Sequence, residues 1–337
     1  MRSRVARIGY YVHGRGRGHA SRALAVAGAL REAGHELRIY GGGQAADLLG
    51  GLPEHRAVRP IYPGVRGVIE LPRRVAKELV EQAGFRPDAI VSDGDVPSLL
   101  AARALGIPAV ALGHDLVFAR CRLPEGLPRL RVLACQRTTW ASRRARYAVA
   151  VHFLPTEPIV PGTIVARPAL RRPPAGAGHG VAPGAVVCYF RDRNARAATE
   201  LVAAGGRGVI AFGDPDLRVP GVLAKPFDSR DFLAHLASAS AVVTSAGSNV
   251  LAECVLAGKP VLALHAEHDH EQALNAILAE RASVAVASSF ASLSPRVVAR
   301  FFDRVRAADF ARVDLERALP SAPSAVRALL DEARASV

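Results

Sequence analysis

Hydrophobic and polar positions follow two alternating patterns along the chain. Short runs rich in Val, Ile and Ala, such as residues 5–12 and 241–244, have the length of β-strands. Between them lie segments in which apolar side chains recur at helical spacing, as in residues 21–32. Strands that alternate with helices are typical of an α/β fold with a parallel sheet. The pattern therefore predicts the α/β class.

This rhythm occurs twice, on either side of a stretch between Pro155 and Pro183 that is crowded with Pro and Gly. Such a composition, without periodicity, is typical of an interdomain linker. We predict two Rossmann-like, doubly wound domains facing a central cleft, which is a common place for a ligand. The predicted parts are a first domain at residues 1–165, a linker at 166–183, a second domain at 184–320, and a C-terminal helix at 321–337 that packs back on the first domain.

Composition excludes several classes of protein. The longest apolar runs are strand-length and fall far short of the roughly 20 residues that span a membrane. The 4 cysteines form no C-x-x-C pair, which argues against a zinc site and against a disulfide framework. The sequence passes from Met1 into a strand-like run with no apolar signal segment, so we expect a cytoplasmic location.

The net charge of +14 comes almost entirely from arginine. Such a charge favours anionic partners, and no nucleic-acid-binding motif accompanies it, so nucleic acid is not an expected partner. Arg15, Arg17 and Arg22 surround a glycine-rich turn, and residues 1–31 contain no acidic side chain. We expect this region to attract an anionic acceptor or to make peripheral contact with an anionic membrane. A general preference of the sequence for arginine is the alternative explanation.

The glycine-rich turn, His13-Gly14-Arg15-Gly16-Arg17-Gly18-His19, joins the first predicted strand to the first predicted helix. Glycines let the backbone approach a ligand closely, and a helix N-terminus offers free N–H groups. The spacing differs from G-x-G-x-x-G, which disfavours a nicotinamide-dependent enzyme. Histidine is well suited to accept a proton near neutral pH, so His19, or otherwise His13, is a candidate general base. Either ring can instead cap the helix or contact the backbone.

Polar residues also follow two further strands of the predicted first domain. Asp93 ends one strand, and His114 and Asp115 close the next. Parallel sheets bind ligands at the carboxyl ends of their strands, so Asp93 is placed to orient a histidine of the first turn and to stabilise its charged form. A helix N-cap is the structural alternative, and Asp95 suits that role.

The second half contains a related turn, Ser245-Ala246-Gly247-Ser248-Asn249, with Glu253 in the helix that follows. Small residues with free N–H groups at such a turn suit a diphosphate, and Glu253 can accept hydrogen bonds from two ribose hydroxyls. We predict a polar loop at residues 265–275 whose side chains are compatible with a sugar. Its His, Asp and Glu residues are too contiguous for the usual spacing of metal ligands, so no metal site is expected.

With these motifs the chain resembles GT-B fold glycosyltransferases, in particular the peptidoglycan N-acetylglucosaminyltransferase (MurG-like) and UDP-glycosyltransferase-like groups. The layout is similar over nearly the whole chain, and three places are specific. They are the turn ending in Gly18-His19, the turn at residues 245–249 followed by Glu253 and Gly258-Lys259-Pro260, and the pair Glu271-Gln272.

The resemblance implies a role for each of these places. The second domain would bind the donor, the nucleotide sugar, through Arg191, Phe227, Ser245, Gly247, Ser248, Asn249, Glu253, Glu271 and Gln272. The first domain would bind the acceptor through Arg15, Arg17, His114 and Asp115. The catalytic group would comprise His19, Asp93 and His13.

Three positions in the sequence bear on the diphosphate contacts and on the stereochemistry of the reaction. Ser245-Ala246 replaces a histidine of the family pattern, which alters a phosphate contact. Residues 189–192 replace a glycine-serine turn, which places Arg191 at the diphosphate. The retaining branch of the fold carries a second glutamate eight residues after the first, where this chain has Val261, so an inverting reaction is favoured.

The resemblance thus implies an inverting, metal-independent transfer from a nucleotide-diphosphate sugar, with UDP-sugar favoured, to a hydroxyl of a small-molecule or lipid-linked acceptor. The reaction would belong to natural-product or cell-envelope biosynthesis. No cofactor is expected, because helix ends and basic groups stabilise the departing diphosphate. Two alternatives stay open: a non-hydrolysing nucleotide-sugar 2-epimerase, and a non-catalytic protein that binds a sugar nucleotide or a lipid.

Overall fold

The computed structural model describes residues 5–14, 17–62, 64–169, 184–190 and 195–336. The chain divides into two compact units. The first unit comprises Met1–Glu125, Leu133–Ala169 and Leu319–Val337, and the second comprises Gly126–Val132 and Leu170–Ala318. The first unit therefore contains both ends of the chain.

A parallel sheet forms the centre of the first unit. Its strands are β1 (Arg7–Val12), β2 (Glu36–Gly41), β3 (His55–Ala57), β4 (Ala89–Asp93), β5 (Ala109–Gly113), β6 (Tyr147–Val151) and β7 (Thr163–Ala166). They pair in the order β3-β2-β1-β4-β5-β6-β7. The central strands are rich in Val, Ile and Ala and are buried, as expected for a sheet covered on both faces. The order reverses between β1 and β4, which is the switch point where such sheets bind ligands.

A second parallel sheet forms the centre of the second unit. Its strands are β8 (Val186–Tyr189), β9 (Val209–Gly213), β10 (Val222–Pro226), β11 (Ala241–Ser245), β12 (Val261–His265) and β13 (Ala285–Ser289). They pair in the order β10-β9-β8-β11-β12-β13, so the switch point lies between β8 and β11. The predicted α/β class with two doubly wound sheets is confirmed.

Helices pack on both sheets. In chain order they are α1 (Arg17–Glu32), α2 (Ala46–Leu49), α3 (Val65–Phe85), α4 (Val96–Ala104), α5 (Leu116–Arg120), α6 (Arg129–Thr138), α7 (Ala195–Ala203), α8 (Ser229–Ser238), α9 (Ser248–Leu256), α10 (His270–Arg281), α11 (Pro295–Arg306), α12 (Leu315–Ala318) and α13 (Ala322–Ala335). In the first unit, α1 and α13 pack together and share an apolar core with the sheet, while α3 packs on α4. Within the described part of the chain, no helix is long and apolar enough to cross a membrane.

Residues 265–275 and 65–85 differ from the sequence prediction. The predicted polar loop at residues 265–275 is partly helical, because α10 begins at His270 with Asp269 as its N-cap. Polar residues at the start of α10 hide its helical pattern, whose buried side chains include Ala273 and Leu274. No element was predicted for residues 65–85, where α3 lies. Pro72 interrupts its pattern, and several apolar side chains of this helix are exposed.

The stretch predicted to be a linker also contains a strand. β7 (Thr163–Ala166) lies within the Pro- and Gly-rich region and pairs with β6. A strand of four residues is too short to stand out among turn-forming residues, and its pairing decides its conformation. Residues 170–183 of the predicted linker lie outside the described residues.

Candidate active site

A histidine and an aspartate meet at the switch point of the first sheet. Strand pairing places Val12, the last residue of β1, opposite Asp93, the last residue of β4. The backbone N–H of His13 donates a 2.9 Å hydrogen bond to the carbonyl oxygen of Asp93. His19 lies in the first turn of α1, and its Nδ1 is 2.6 Å from Oδ1 of Asp93. The structure therefore brings together the candidate base and the acid predicted to orient it.

Arg22 completes this group, one turn further along α1. Its Nε donates a 2.8 Å hydrogen bond to Oδ2 of Asp93, and its Nη2 reaches Oδ1 of the same carboxylate. Both side chains are buried. Burial alone would raise the pKa of Asp93, but the charges and hydrogen bonds of Arg22 and His19 outweigh it and lower the pKa to about 2. Asp93 is therefore ionised at neutral pH.

The burial of Arg22 corrects one expectation. The sequence groups Arg22 with basic residues that attract an anion, but its side chain is 5% exposed and paired with Asp93. A buried, compensated charge adds little to the field outside the protein, so that prediction is wrong for Arg22. Arg15 and the side chain of Arg17 lie outside what the structure describes. The spacing of three residues between His19 and Arg22, which places both on one helix face, is the signal that could have found the pair.

His13 packs against both His19 and Tyr62. The ring centroid of His13 is 5.6 Å from that of His19 and 5.9 Å from that of Tyr62, both in edge-to-face arrangements. Gly94, with φ +75°, follows Asp93 in the left-handed conformation that favours glycine. A Cβ atom at Gly94 would lie 3.2 Å from Cβ of His13 and 3.4 Å from Cε1 of His19. Both predicted histidines therefore lie at one site, and the φ and close packing of Gly94 favour glycine next to them.

His114 and Asp115 follow β5 at the same edge of the sheet. His114 is buried, and its Nδ1 lies 2.7 Å from the carbonyl oxygen of Val151. Its ring packs against His152 and Phe118, with centroid distances of 5.3 Å and 5.5 Å. Asp115 is half-buried and immediately precedes α5. Contact of these two residues with an acceptor stays a prediction.

The predicted donor-binding turn lies at the switch point of the second sheet. β11 ends at Ser245 and α9 begins at Ser248, with Gly247 as the N-cap residue. Glycine has no side chain to cap the helix, which leaves N–H groups of the first turn for another partner. Asn275 of α10 donates a 3.0 Å hydrogen bond from Nδ2 to the carbonyl oxygen of Ala246 and holds the turn in place. This geometry suits an anion at the start of α9.

Three side chains around this turn carry buried oxygen atoms that make no hydrogen bond within the described structure. They are Ser245 Oγ, Asn249 Oδ1 and Gln272 Oε1. An unsatisfied buried polar atom costs about 1–3 kcal/mol. Each of the three can accept a hydrogen bond from a hydroxyl or N–H group. Ser245 and Asn249 belong to the turn, and Gln272 lies three residues before Asn275 on α10, so the three oxygens are available to the hydroxyl groups of a ligand.

The two glutamates predicted to bind the donor differ in exposure. Glu253, on α9, is 6% exposed, whereas Glu271, in the first turn of α10, is exposed. The neighbouring Gln272 is half-buried, and its Nε2 donates a 2.8 Å hydrogen bond to Oδ2 of Asp269. This contact fixes the amide group whose Oε1 has no partner among the described residues.

An aromatic pair lies beside the switch point of the second sheet. Tyr189, the last residue of β8, stacks on Phe227 with a centroid distance of 4.8 Å and an interplanar angle of 29°. Nζ of Lys225 lies 2.9 Å from Oδ2 of Asp231, which fastens the loop that carries Phe227. Tyr189 was not predicted as a donor-site residue, although an aromatic residue at the end of a central strand was a usable signal. Arg191 lies outside the described residues.

The histidine side chains of residues 265–275, all of which the structure describes, do not form a metal-binding cluster. His265 ends β12, while His268 and His270 are exposed. Nδ1 of His265 lies 3.2 Å from the carbonyl oxygen of the next residue. Among the residues that the structure describes, no group of three or more His, Cys, Asp and Glu side chains is placed to hold a metal ion.

Two doubly wound sheets, each with polar side chains at its switch point, are the architecture of the GT-B fold. The sequence model of glycosyl transferase family 1 matches residues 6–306. The chain belongs to this family, and the predicted resemblance to GT-B glycosyltransferases is confirmed.

One curated relative matches part of the chain. An uncharacterized glycosyltransferase of Methanosarcina acetivorans is 28% identical over 122 residues, which is 31% of this chain and 31% of that protein. The chain thus spans about a third of the length of the curated relative that it matches.

Solved structures share the fold over nearly the whole chain. The spinosyn forosaminyltransferase SpnP matches with a TM-score of 0.72 at 18% identity, covering 98% of this chain and 100% of that chain. MurG of Acinetobacter baumannii matches with a TM-score of 0.62 at 16% identity, covering 98% and 94%. SsfS6 of Streptomyces sp. SF2575, solved with thymidine diphosphate, matches with a TM-score of 0.66 at 17% identity, covering 97% and 99%. At these identities the likeness establishes the fold.

Proposed function

We propose that the protein is an inverting glycosyltransferase. It moves a sugar from a nucleoside-diphosphate sugar, with UDP-sugar favoured, to a hydroxyl group of a small-molecule or lipid-linked acceptor. The observation that carries the proposal is the 2.6 Å contact between Nδ1 of His19 and Oδ1 of Asp93 at the switch point of the first sheet. Membership of glycosyl transferase family 1 supports the reaction class.

His19 is the general base in this proposal. Because Asp93 is ionised and lies at Nδ1, the proton of a neutral His19 ring belongs on Nδ1, where it donates to the carboxylate. The lone pair is then on Nε2, the other ring nitrogen. Nε2 takes the proton of the acceptor hydroxyl as its oxygen bonds to the anomeric carbon. The bond from that carbon to the diphosphate breaks, and its electron pair leaves on the phosphate oxygen. Attack opposite the leaving group inverts the anomeric centre.

The second unit binds the donor in this proposal. The start of α9, with glycine as N-cap, favours the negative diphosphate through its N–H groups and helix dipole. Buried Glu253 accepts hydrogen bonds from ribose, and the unpartnered oxygens of Ser245, Asn249 and Gln272 receive sugar hydroxyls. The structure of SsfS6 with thymidine diphosphate supports the same class of ligand here. Ribose offers Glu253 two hydroxyls and deoxyribose only one, which favours UDP.

The stacked pair of Tyr189 and Phe227 is proposed to bind the nucleobase. A flat base gains from stacking on an aromatic ring, and both residues lie near the strand end where the diphosphate would bind. Ser248, in the first turn of α9, and Arg191 are proposed to contact the diphosphate. Exposed Glu271 is proposed to contact the transferred sugar.

Exposed apolar side chains support an acceptor with an apolar body. Val65, Val68 and Ile69 on the first turns of α3 are 79%, 72% and 72% exposed. Tyr62, just before this helix, lies edge-on to His13 and connects the apolar surface with the candidate base. A net charge of +14 supports an anionic group on the acceptor, or peripheral contact with an anionic membrane on the cytoplasmic side. His114 and Asp115, at the same sheet edge, are proposed to complete the acceptor site.

Metal independence is part of the proposal. The start of α9 and nearby basic groups supply the positive charge that stabilises the departing diphosphate. Turnover is therefore expected to persist in the presence of EDTA. Loss of activity in EDTA, with recovery on addition of Mg²⁺ or Mn²⁺, would contradict this part.

A turnover assay with the full chain tests the function. UDP-sugars and dTDP-sugars are each combined with hydroxyl acceptors, including small aglycones and polyprenyl-phosphate-linked sugars. We expect a product only when an acceptor is present, with an anomeric configuration opposite to that of the donor by NMR. Conversion of the donor to its C2 epimer without an acceptor would identify a 2-epimerase. Nucleotide binding without turnover of any acceptor would identify a non-catalytic binding protein.

A further inference from the structure

Arg22 touches both members of the His19–Asp93 pair. Its Nε donates to Oδ2 of Asp93 at 2.8 Å, and its Nη2 reaches Oδ1. The same Nη2 lies 3.1 Å from Nδ1 of His19; this is a close contact and not a hydrogen bond when Nδ1 carries the proton donated to Asp93, because a guanidinium only donates. Two parallel hydrogen bonds to one carboxylate fix its plane as well as its position. Guanidinium and imidazole therefore share the carboxylate of Asp93.

Charged and titratable groups reach His19 from several elements. Arg22 on α1, Asp93 on β4 and His13 after β1 face its ring. Tyr10 within β1 and Asp115 before α5 act on Arg22. Burial raises the pKa of Tyr10, so its hydroxyl is neutral. Burial lowers the pKa of Arg22, but Asp93, Tyr10 and Asp115 together raise it by more, so the guanidinium stays charged. One buried positive charge thus compensates the buried negative charge of Asp93.

This compensation changes what Asp93 does to His19. A carboxylate that faces a histidine alone stabilises the imidazolium form, because an opposite charge within roughly 4–6 Å favours the charged state. An imidazolium ring has no lone pair and cannot take a proton from a hydroxyl. When the carboxylate already has a counter-charge, protonation of the histidine gains much less.

We propose that Arg22 is a positioning residue that holds and neutralises the Asp93 carboxylate, so that His19 keeps one ring proton on Nδ1 and an open lone pair on Nε2. This electrostatic role is independent of the reaction. Its catalytic consequence rests on the proposed function, in which His19 is the base.

The first test is NMR of the full chain with 15N-labelled histidine rings. His19 signals are identified by their loss in His19→Gln. In the wild type we expect the neutral His19 ring to carry its proton on Nδ1. In Arg22→Met we expect the midpoint of the His19 titration to move up by about one pH unit or more, because Asp93 then pairs with His19 alone. In Arg22→Lys we expect a smaller upward shift, because lysine keeps the charge and loses the two-point contact.

Arg31→Met is the matched control, since Arg31 lies in the last turn of α1 and pairs with Glu54. It should leave the His19 titration unchanged. An unchanged His19 midpoint in folded Arg22→Met overturns the inference. If Arg22→Met does not fold, Arg22→Lys decides: an upward shift supports the inference, and an unchanged midpoint and tautomer overturn it.

Activity separates this inference from the proposed function. In the Arg22 variants that fold we expect kcat to fall with the donor KM unchanged. The acid limb of the pH–rate profile should move upward by the same interval as the NMR midpoint. An NMR shift without any change in turnover would keep the electrostatic role of Arg22 and overturn His19 as the base. Loss of turnover in His19→Ala, with no NMR shift in Arg22→Met, would keep the proposed function and overturn the inference.

Discussion

Asp93 combines complete burial with a negative charge, which costs several kcal/mol unless partners compensate it. Arg22 supplies the opposite charge, and His19 supplies a further hydrogen bond. The backbone around Asp93 is also constrained, since Gly94 adopts a left-handed conformation in which a side chain would be strained and would crowd His13. At the residue scale, the candidate active site is therefore one compensated carboxylate with a histidine held against it.

The first prediction concerns the base. His19→Ala should lower kcat by about 10²–10⁴-fold, because general base catalysis typically contributes that much. The donor KM should stay nearly the same, since the donor is proposed to bind the second unit. The measurement is steady-state kinetics with the best donor and acceptor pair. His13→Ala serves as the comparison, and a large loss there with little effect at His19 would move the base role to His13.

Stability should fall in mild acid because of a second histidine. His152 is buried, its Nδ1 has no hydrogen-bond partner among the described residues, and burial together with nearby His114 holds its pKa well below the usual value. The unfolded chain takes up a proton near pH 6.5 that the folded chain refuses, so stability is lost as the pH falls below that value. The loss should approach about 1.4 kcal/mol per pH unit.

Urea denaturation between pH 8 and pH 5.5 measures this effect. The single tryptophan, Trp140, belongs to the first unit, so its fluorescence reports the unit that contains His152. His152→Leu should flatten the pH dependence. An equal slope in the wild type and in His152→Leu would contradict the assignment.

At the scale of secondary-structure elements, helices carry most of the site residues. α1 brings His19 and Arg22 to Asp93 from one face, because residues three apart lie on the same side of a helix. α9 begins with a glycine N-cap, whereas α10 begins with Asp269, whose side chain accepts a hydrogen bond from the N–H of Gln272. The start of α9, after β11, thus presents backbone N–H groups. The start of α10, after β12, presents the side chains of Asp269 and Gln272.

The third prediction uses Ser245, which is buried with a hydroxyl that has no partner within the described structure. Ser245→Ala removes an unsatisfied polar atom, so the ligand-free protein should gain on the order of 1 kcal/mol of stability. The same change removes a proposed donor contact and should weaken binding of the UDP-sugar. Thermal unfolding and calorimetry measure the two effects, which should have opposite signs. A loss of stability without ligand would show that the hydroxyl has a partner in the protein.

Ser238→Ala is the matched control, because the hydroxyl of Ser238 on α8 already donates to a carbonyl oxygen of its own helix. It should leave the affinity for the UDP-sugar unchanged. Affinity reduced equally in both variants would indicate a general disturbance of the second unit.

The fourth prediction concerns Glu253, buried on α9. Glu253→Ala should weaken UDP binding by about 1.5–3 kcal/mol, since hydrogen bonds to charged groups contribute that much. The affinity for dTDP should fall less, because deoxyribose lacks one of the two hydroxyls. Calorimetry with both nucleotides gives the comparison. Unchanged affinity for UDP would place the ribose elsewhere.

At the scale of the whole molecule, the net charge of +14 is a property of the surface rather than of the candidate site. The buried pair of Arg22 and Asp93 is neutral as a whole. Exposed Arg66 and Arg73 lie on α3 beside the exposed apolar residues of that helix. An acceptor with an apolar body and an anionic group would match both properties of this surface.

Added salt should weaken the attraction between the basic surface and an anionic acceptor. Exposed charges act over a Debye length of about 8 Å at physiological ionic strength, and the range shortens as salt is added. The acceptor KM should therefore rise with salt, and binding to anionic liposomes should weaken. Arg66→Ala and Arg73→Ala should reduce both effects, as should Arg15→Ala and Arg17→Ala. Arg218→Ala, exposed on the second unit, is the control. A salt-independent KM without liposome binding would leave the charge with no part in function.

The sequence by itself determined the α/β class, the two doubly wound sheets and the positions of the main turns. These properties are local, because each depends on a few neighbouring residues. The signals are the periods of strands and helices, glycine turns and helix caps. His19, Asp93 and the turn from Ser245 to Asn249 were found in this way. The segment at residues 265–275 was mistaken for a loop, because its polar residues mask the start of a helix.

Only the tertiary structure decided which side chains meet. Arg22 and Asp93 are 71 positions apart. The helical spacing places Arg22 on the same face of α1 as His19, but it does not show that Arg22 is buried against Asp93. Burial turned Arg22 from a surface charge into the partner of a catalytic candidate. The stacking of Tyr189 on Phe227 likewise depends on two different strands, since Tyr189 ends β8 and Phe227 follows β10. Contacts of this kind require that residues far apart in the sequence come close together and are shielded from water. Pairing of the strands produces this arrangement, and a local sequence pattern does not encode it.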